Sequence, residues 1–66
     1  MKLIINGDPR EMSAPLTVSG LLDWLGFGKK PVVVELNQRA LFPREFADTA
    51  LHEGDRVEIV QITAGG

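Results

Sequence analysis

The stretch Arg56-Val57-Glu58-Ile59-Val60-Gln61-Ile62, running into Thr63-Ala64-Gly65-Gly66, decides how the rest of the chain is read. Val57, Ile59, Val60 and Ile62 are β-branched, and the stretch is bounded upstream by Gly54-Asp55, so it reads as a strand. With Val57 and Ile59 facing a core, Glu58, Val60 and Ile62 alternate to the other side. Two outward β-branched residues beside a tail, joined by Ile4 or Val33, make a small apolar docking patch; the alternative is scattered surface apolars, which are ordinary. A Gly-Gly end arises by chance in roughly 0.5% of chains at average glycine usage, and an expression scar can end the same way. Chemically, Gly65-Gly66 offers a carboxylate on a chain thin enough to enter another protein's narrow active site.

The composition limits what the other residues can do. A chain of 66 residues forms one domain. Such a chain buries only about 60% of its unfolded surface, so most of its apolar residues are needed for packing. Little interior is left for a private active site, which argues against a self-contained enzyme. With no cysteine there is neither a disulfide framework nor a thiolate zinc site. The formal charge of −2, with mixed signs along the chain, lacks the electrostatic footprint of a nucleic-acid binder. At 44% hydrophobic residues the chain is expected to fold. The apolar runs are far shorter than the roughly 20 residues that cross a bilayer, and Met1 leads into a strand rather than a signal peptide. A cytoplasmic location is the expectation.

Outward from the last strand, residues 2–6 (Lys-Leu-Ile-Ile-Asn) read as a first strand, with Leu3 and Ile5 on one face and Ile4 on the other. Asn6-Gly7-Asp8-Pro9 is a tight-turn signal, and residues 10–13 read as the returning strand, ended by Pro15. Thr17 is an expected helix N-cap. Val18, Leu21, Leu22 and Leu25 then fall at i, i+3, i+4 and i+7, one face of a helix of about two and a half turns that Gly26 and Gly28 stop. Val32, Val34 and Leu36 face the core from the next strand, residues 32–37. Asn37-Gln38 turns the chain towards a short strand over residues 39–42, and Phe46 and Leu51 read as core plugs from an irregular stretch. The result is an α+β domain, one main helix on a mixed sheet of four to five strands.

Candidate chemistry inside the domain is thin. His52, the single histidine, has no second soft ligand and reads as a solvated loop residue. Asp48, Glu53, Asp55 and Glu58 cluster late in the sequence, but general acid–base work needs a pocket that shifts pKa values, so they read as a solvated acidic face. Trp24 lies about 110° around the helix from its apolar face. It is either a rim residue covering the core beside Phe27 or a partly exposed contact for a partner.

This order of elements, together with Val33-Val34-Glu35-Leu36-Asn37, Gly54-Asp55-Arg56-Val57-Glu58-Ile59-Val60 and the N-terminal Lys-Leu-Ile-Ile-Asn-Gly, resembles the ubiquitin-like β-grasp fold and, within it, the ThiS sulfur carriers of thiamine biosynthesis. The resemblance covers the whole chain. Gln38 departs from the glycine common after Asn37, Pro43 stands one position late, and Thr63-Ala64 precedes Gly65-Gly66 where a third glycine is common. It implies a β-grasp domain over residues 1–62 and a flexible tail over residues 63–66. It implies too that the Gly66 carboxylate is adenylated by a ThiF-like, E1-like adenylyltransferase that consumes ATP. A persulfide sulfur donor then converts it to a thiocarboxylate, and a ThiG-like thiazole synthase receives the sulfur. Gly65 would give the tail access to both partner sites, Val60, Ile62 and Ala64 would contact the partners, and no cofactor or metal would be bound. MoaD-type carriers of molybdopterin synthesis and ubiquitin-like protein modifiers share the terminus and remain alternatives, as does a plain β-grasp interaction module.

Overall fold

Asn6 and Gly7 both take positive φ, 49° and 85°, the geometry of a two-residue hairpin turn whose twist matches that of its flanking strands. The computed structural model describes residues 1–13 and 16–63. In it this turn joins β1 (Lys2–Ile5) to β2 (Asp8–Glu11), which starts two residues earlier than the sequence suggests. Pro9 is what hides the start. It stands opposite Ile4, whose N–H donates to the Asp55 carbonyl on the other side of β1 at 2.9 Å. The Ile4–Pro9 pair therefore exchanges no backbone bond, and the missing N–H of an edge-strand proline costs the ladder nothing.

After β2 come α1 (Val18–Trp24), β3 (Val32–Leu36), β4 (Arg39–Leu41), a 3₁₀ turn (Pro43–Glu45) and β5 (Arg56–Gln61). The strands form one five-stranded sheet in the order β2-β1-β5-β3-β4. β1 and β5 are parallel and the other neighbours antiparallel. The short strand after Asn37-Gln38 thus forms, and the last strand in sequence is the middle one in space.

The helix is seven residues, shorter than its apolar spacing implies. Its first three N–H groups, which no helix can satisfy internally, all find oxygens. Val18 donates to the Thr49 carbonyl at 3.0 Å, Ser19 to the Phe46 carbonyl at 3.0 Å, and Gly20 to Thr17 Oγ1 at 3.1 Å. The loop carrying Phe46 and Thr49 is therefore fastened to the helix start. At the other end Gly26, at φ 90°, closes the helix: its N–H reaches the Asp23 carbonyl at 3.1 Å and that of Phe27 reaches Leu22 at 2.9 Å. Leu25 falls at the cap and is only half-buried.

One face of the sheet and the helix share a single core. Leu3, Ile5, Val32, Val34, Leu41, Val57 and Ile59 meet Val18, Leu21 and Leu22, with Met12, Phe46 and Leu51 filling the ends. Each such side chain contributes roughly 1.5–3 kcal/mol by leaving water. Phe46 and Leu51 are plugs, as their isolation among polar neighbours suggests.

Two asparagines lock β5 in place. Asn6 Oδ1 accepts the Ile59 N–H at 2.7 Å and Asn6 Nδ2 donates to the Ile59 carbonyl at 3.2 Å, so one side chain continues the β1–β5 ladder beyond the end of β1. Asn37, at φ 50°, accepts the Arg56 N–H at 3.0 Å through Oδ1 and donates to Asp55 Oδ1 at 3.1 Å.

Two outcomes follow from these turns. Asn6→Ala strands both polar groups of Ile59 and puts at φ 49° a residue that tolerates the left-handed region less well than asparagine, so urea denaturation should show a loss of on the order of 2–3 kcal/mol. Gln38 holds φ 70°, a conformation that suits glycine. Gln38→Gly should therefore raise stability by about 0.5–1 kcal/mol after the added entropy of the unfolded chain is subtracted. A lower thermal midpoint for that variant would contradict strain in this turn.

Candidate functional site

The alternation of β5 sorts its residues cleanly. Val57 and Ile59 are buried, while Arg56, Glu58 and Val60 are exposed on the sheet face away from the helix. Val60 is 62% exposed and stands opposite Val33, itself 45% exposed, on β3. Ile4 is half-buried and lies one strand further across, beside Arg56.

The Asn37-Gln38 turn adds a residue that the sequence reading missed. It sets Leu36 against Arg39 and Val34 against Leu41, the last pair of β4; the same register carried one residue further brings Phe42 level with Val33. Because Leu41 points into the core, Phe42 projects outward, and it is 60% exposed. Phe42, Val33 and Val60 thus form an apolar row across β4, β3 and β5. Counting the register outward from a two-residue hairpin would have revealed this row. Phe42 is held by Glu45: Oε1 accepts its N–H at 2.8 Å, while Oε2 meets Arg39 Nη2 at 3.2 Å. The Arg44 guanidinium lies 4.7 Å from the centre of the Phe42 ring.

Ile62, 48% exposed, follows the end of β5, its N–H donating to the Pro31 carbonyl at 3.0 Å. It lines a groove of about 460 Å³ with Leu22, Lys29, Lys30, Pro43 and Phe46 on the helix side of the sheet, rather than continuing the open face as the alternation from Val60 implies, because β5 ends at Gln61. Thr63 is exposed. Ala64, Gly65 and Gly66, on which the expected chemistry falls, lie outside the described residues.

Other sequence candidates resolve into scaffold. Trp24 is 58% exposed and leaves the core to Leu21, Leu22 and Phe27, so of its two readings the rim cover is corrected and the exposed one agrees with its position. His52 is exposed, as a loop histidine should be. Of the acidic cluster, Asp48, Glu53 and Glu58 are exposed, but Asp55 is largely buried and belongs to the loop. Its Oδ2 accepts the His52 N–H at 2.7 Å and its Oδ1 the Asn37 amide. Glu53 Oε1 accepts the Lys2 N–H at 3.0 Å. These carboxylates organise the turn before β5 rather than converge on a reacting atom.

A mixed five-stranded sheet with one helix on one face, a central last strand and an apolar row on the open face defines a ubiquitin-like β-grasp domain. The chain belongs to the ThiS family, whose model matches residues 3–66. It is 37% identical over 62 residues to the sulfur carrier protein ThiS of Thermus thermophilus, covering 94% of this chain and 95% of that one. It superposes with a TM-score of 0.85 on the crystal structure of the thiamine biosynthesis protein ThiS from Geobacter metallireducens, at 35% identity and with both chains fully covered. It is also 42% identical over all 66 residues to a thiazole synthase of Paramagnetospirillum magneticum, of which it spans 20%.

The inward and outward assignments are tested by paired truncations on one strand. Val57→Ala should destabilise by on the order of 2 kcal/mol through a core cavity. Val60→Ala should change stability by less than about 1 kcal/mol. Equal losses in denaturant midpoint would refute the assignment.

Proposed function

We propose that this protein is a sulfur carrier of thiamine biosynthesis that works through its terminal carboxylate, with the catalysts supplied by partner enzymes. The observation that carries this reading is the family match across residues 3–66, which takes in Gly65 and Gly66 as well as the domain. The thiazole synthase and ThiS relatives favour thiamine over molybdopterin synthesis. The domain over residues 1–62 then acts as a handle, and residues 63–66 as the segment that enters partner sites.

The chemistry follows from what a carboxylate lacks. Its charge is delocalised and its leaving group would be oxide, so it is a poor electrophile. In a ThiF-like adenylyltransferase the Gly66 carboxylate attacks the α-phosphorus of ATP, releasing pyrophosphate and forming a mixed anhydride with AMP. The terminal sulfur of a cysteine persulfide on a partner attacks the carbonyl and expels AMP, giving an acyl disulfide. A second thiol cleaves its S–S bond, leaving the thiocarboxylate on Gly66 and a disulfide between the two thiols. In a ThiG-like thiazole synthase the sulfur passes to the acceptor substrate and the acyl carbon of Gly66 takes an oxygen in exchange, from that substrate or from water, which regenerates the carboxylate. Gly65 leaves the tail narrow and conformationally free, where any Cβ would restrict the φ/ψ range and meet the walls of the partner site. Val60 and Ile62, exposed where β5 ends, and Ala64 contact the partners while the tail is engaged.

Intact mass after incubation with ATP, a persulfide donor and the cognate adenylyltransferase tests the reading. The expected product carries one sulfur in place of one oxygen. Deletion of Gly66 should abolish loading and leave the thermal midpoint unchanged, and Val60→Asp should weaken partner binding more than it lowers stability. An isopeptide bond to a lysine of another protein would indicate a modifier instead, and an unchanged mass would leave only an interaction module.

A further inference from the structure

The row next to Phe42–Val33–Val60 on the open face is charged. Glu58 stands directly opposite Glu35, with Ala40 beyond it on β4. Both glutamates are exposed on the face that carries Val60, and their Cβ atoms are about 5 Å apart, as in any directly opposed antiparallel pair. Like charges so placed oppose pairing of the strands. Among the described residues the ion pairs are Met1–Glu11, Arg39–Glu45 and His52–Asp55, so neither Glu35 nor Glu58 has a cation within 4.0 Å. Arg56 borders a small hollow with Glu58, Ile4, Gly7 and Gln38 yet makes no ion pair there. The face thus joins an apolar strip to two neighbouring carboxylates that make no ion pair among the described residues, not even with Arg56 beside Glu58.

We propose that this surface takes a partner protein presenting an arginine beside an apolar side chain, the guanidinium lying between Glu35 and Glu58 and the apolar group on Phe42, Val33 and Val60. This rests on the sulfur-carrier reading and names the chemistry of the partner at that site. A planar guanidinium offers donors on two edges and can serve two carboxylates at once, which an ammonium does less well. Docking then supplies the ion-pair partner that the opposed carboxylates lack. A second copy of this chain fits poorly, because a two-fold contact over this face adds two more unpaired carboxylates to the same interface.

The test measures affinity for the cognate adenylyltransferase at low and high salt, with thermal midpoints and sulfur loading, for wild type and Glu35→Gln/Glu58→Gln. The double variant should bind roughly tenfold or more weakly at low salt, lose most of the salt dependence, and melt higher than wild type. Unchanged affinity with normal wild-type loading would overturn the arginine site alone and leave the carrier reading intact. A wild type that is not loaded would overturn the carrier reading and this site with it. Tighter binding by the double variant, or concentration-dependent dimerisation through this face in sedimentation, would also overturn it.

Discussion

The structure depends on the placement of β5 between β1 and β3. The N-terminal hairpin and the β3–β4 hairpin are each local, and neither touches the other within the sheet until the last strand arrives. β5 therefore supplies the ladder for both halves, and the chain closes over nearly its whole length before the core is complete. The polar groups of Ile59 are satisfied by the side chain of Asn6 because β1 has already turned away. Arg56 is similarly met by Asn37 at the other hairpin. Two turn asparagines thus do double duty: each tolerates positive φ, and each lends its amide to the central strand.

The same strand separates stability from presentation. Its inward residues, Val57 and Ile59, hold the sheet to α1, and its outward residues lie on the face the helix leaves open. A rigid pleat fixes that open face relative to the end of β5. Docking at Val60, Val33 and Phe42 would therefore aim the last residues into a partner's site without any hinge in the domain. A small domain with no cysteine and a filled core has few other ways to take part in chemistry.

Much of this was legible in the residues. The alternation of Val32, Val34, Val57 and Ile59, the Thr17 cap and the Gly26 stop each have a local cause, and the structure uses each of them. The misses share a physical reason, in that partners distant in sequence decided them. Pro9 reads as a strand breaker until its pairing with Ile4 shows that its N–H is not needed. The i+7 position of Leu25 suggests a longer helix, but Gly26 ends it first. Asp55 reads as one more surface acid, although Asn37 and His52 draw it into the loop. Phe42 became visible only through the register of β4 on β3. Within the site, Val60 was readable from period two alone, whereas Ile62 lies beyond the end of β5, where the alternation no longer holds. The opposed pair Glu35–Glu58 needed the β3–β5 register.

The central claim is that the open face of the sheet, and not the helix side, receives the partner that acts on the chain end. Amide shift mapping of the labelled protein titrated with its adenylyltransferase tests this most directly. The account predicts that the largest changes fall on Val33, Glu35, Phe42, Glu58 and Val60. Changes centred instead on Trp24, Lys29 and Phe46, across the helix and its groove, would contradict it.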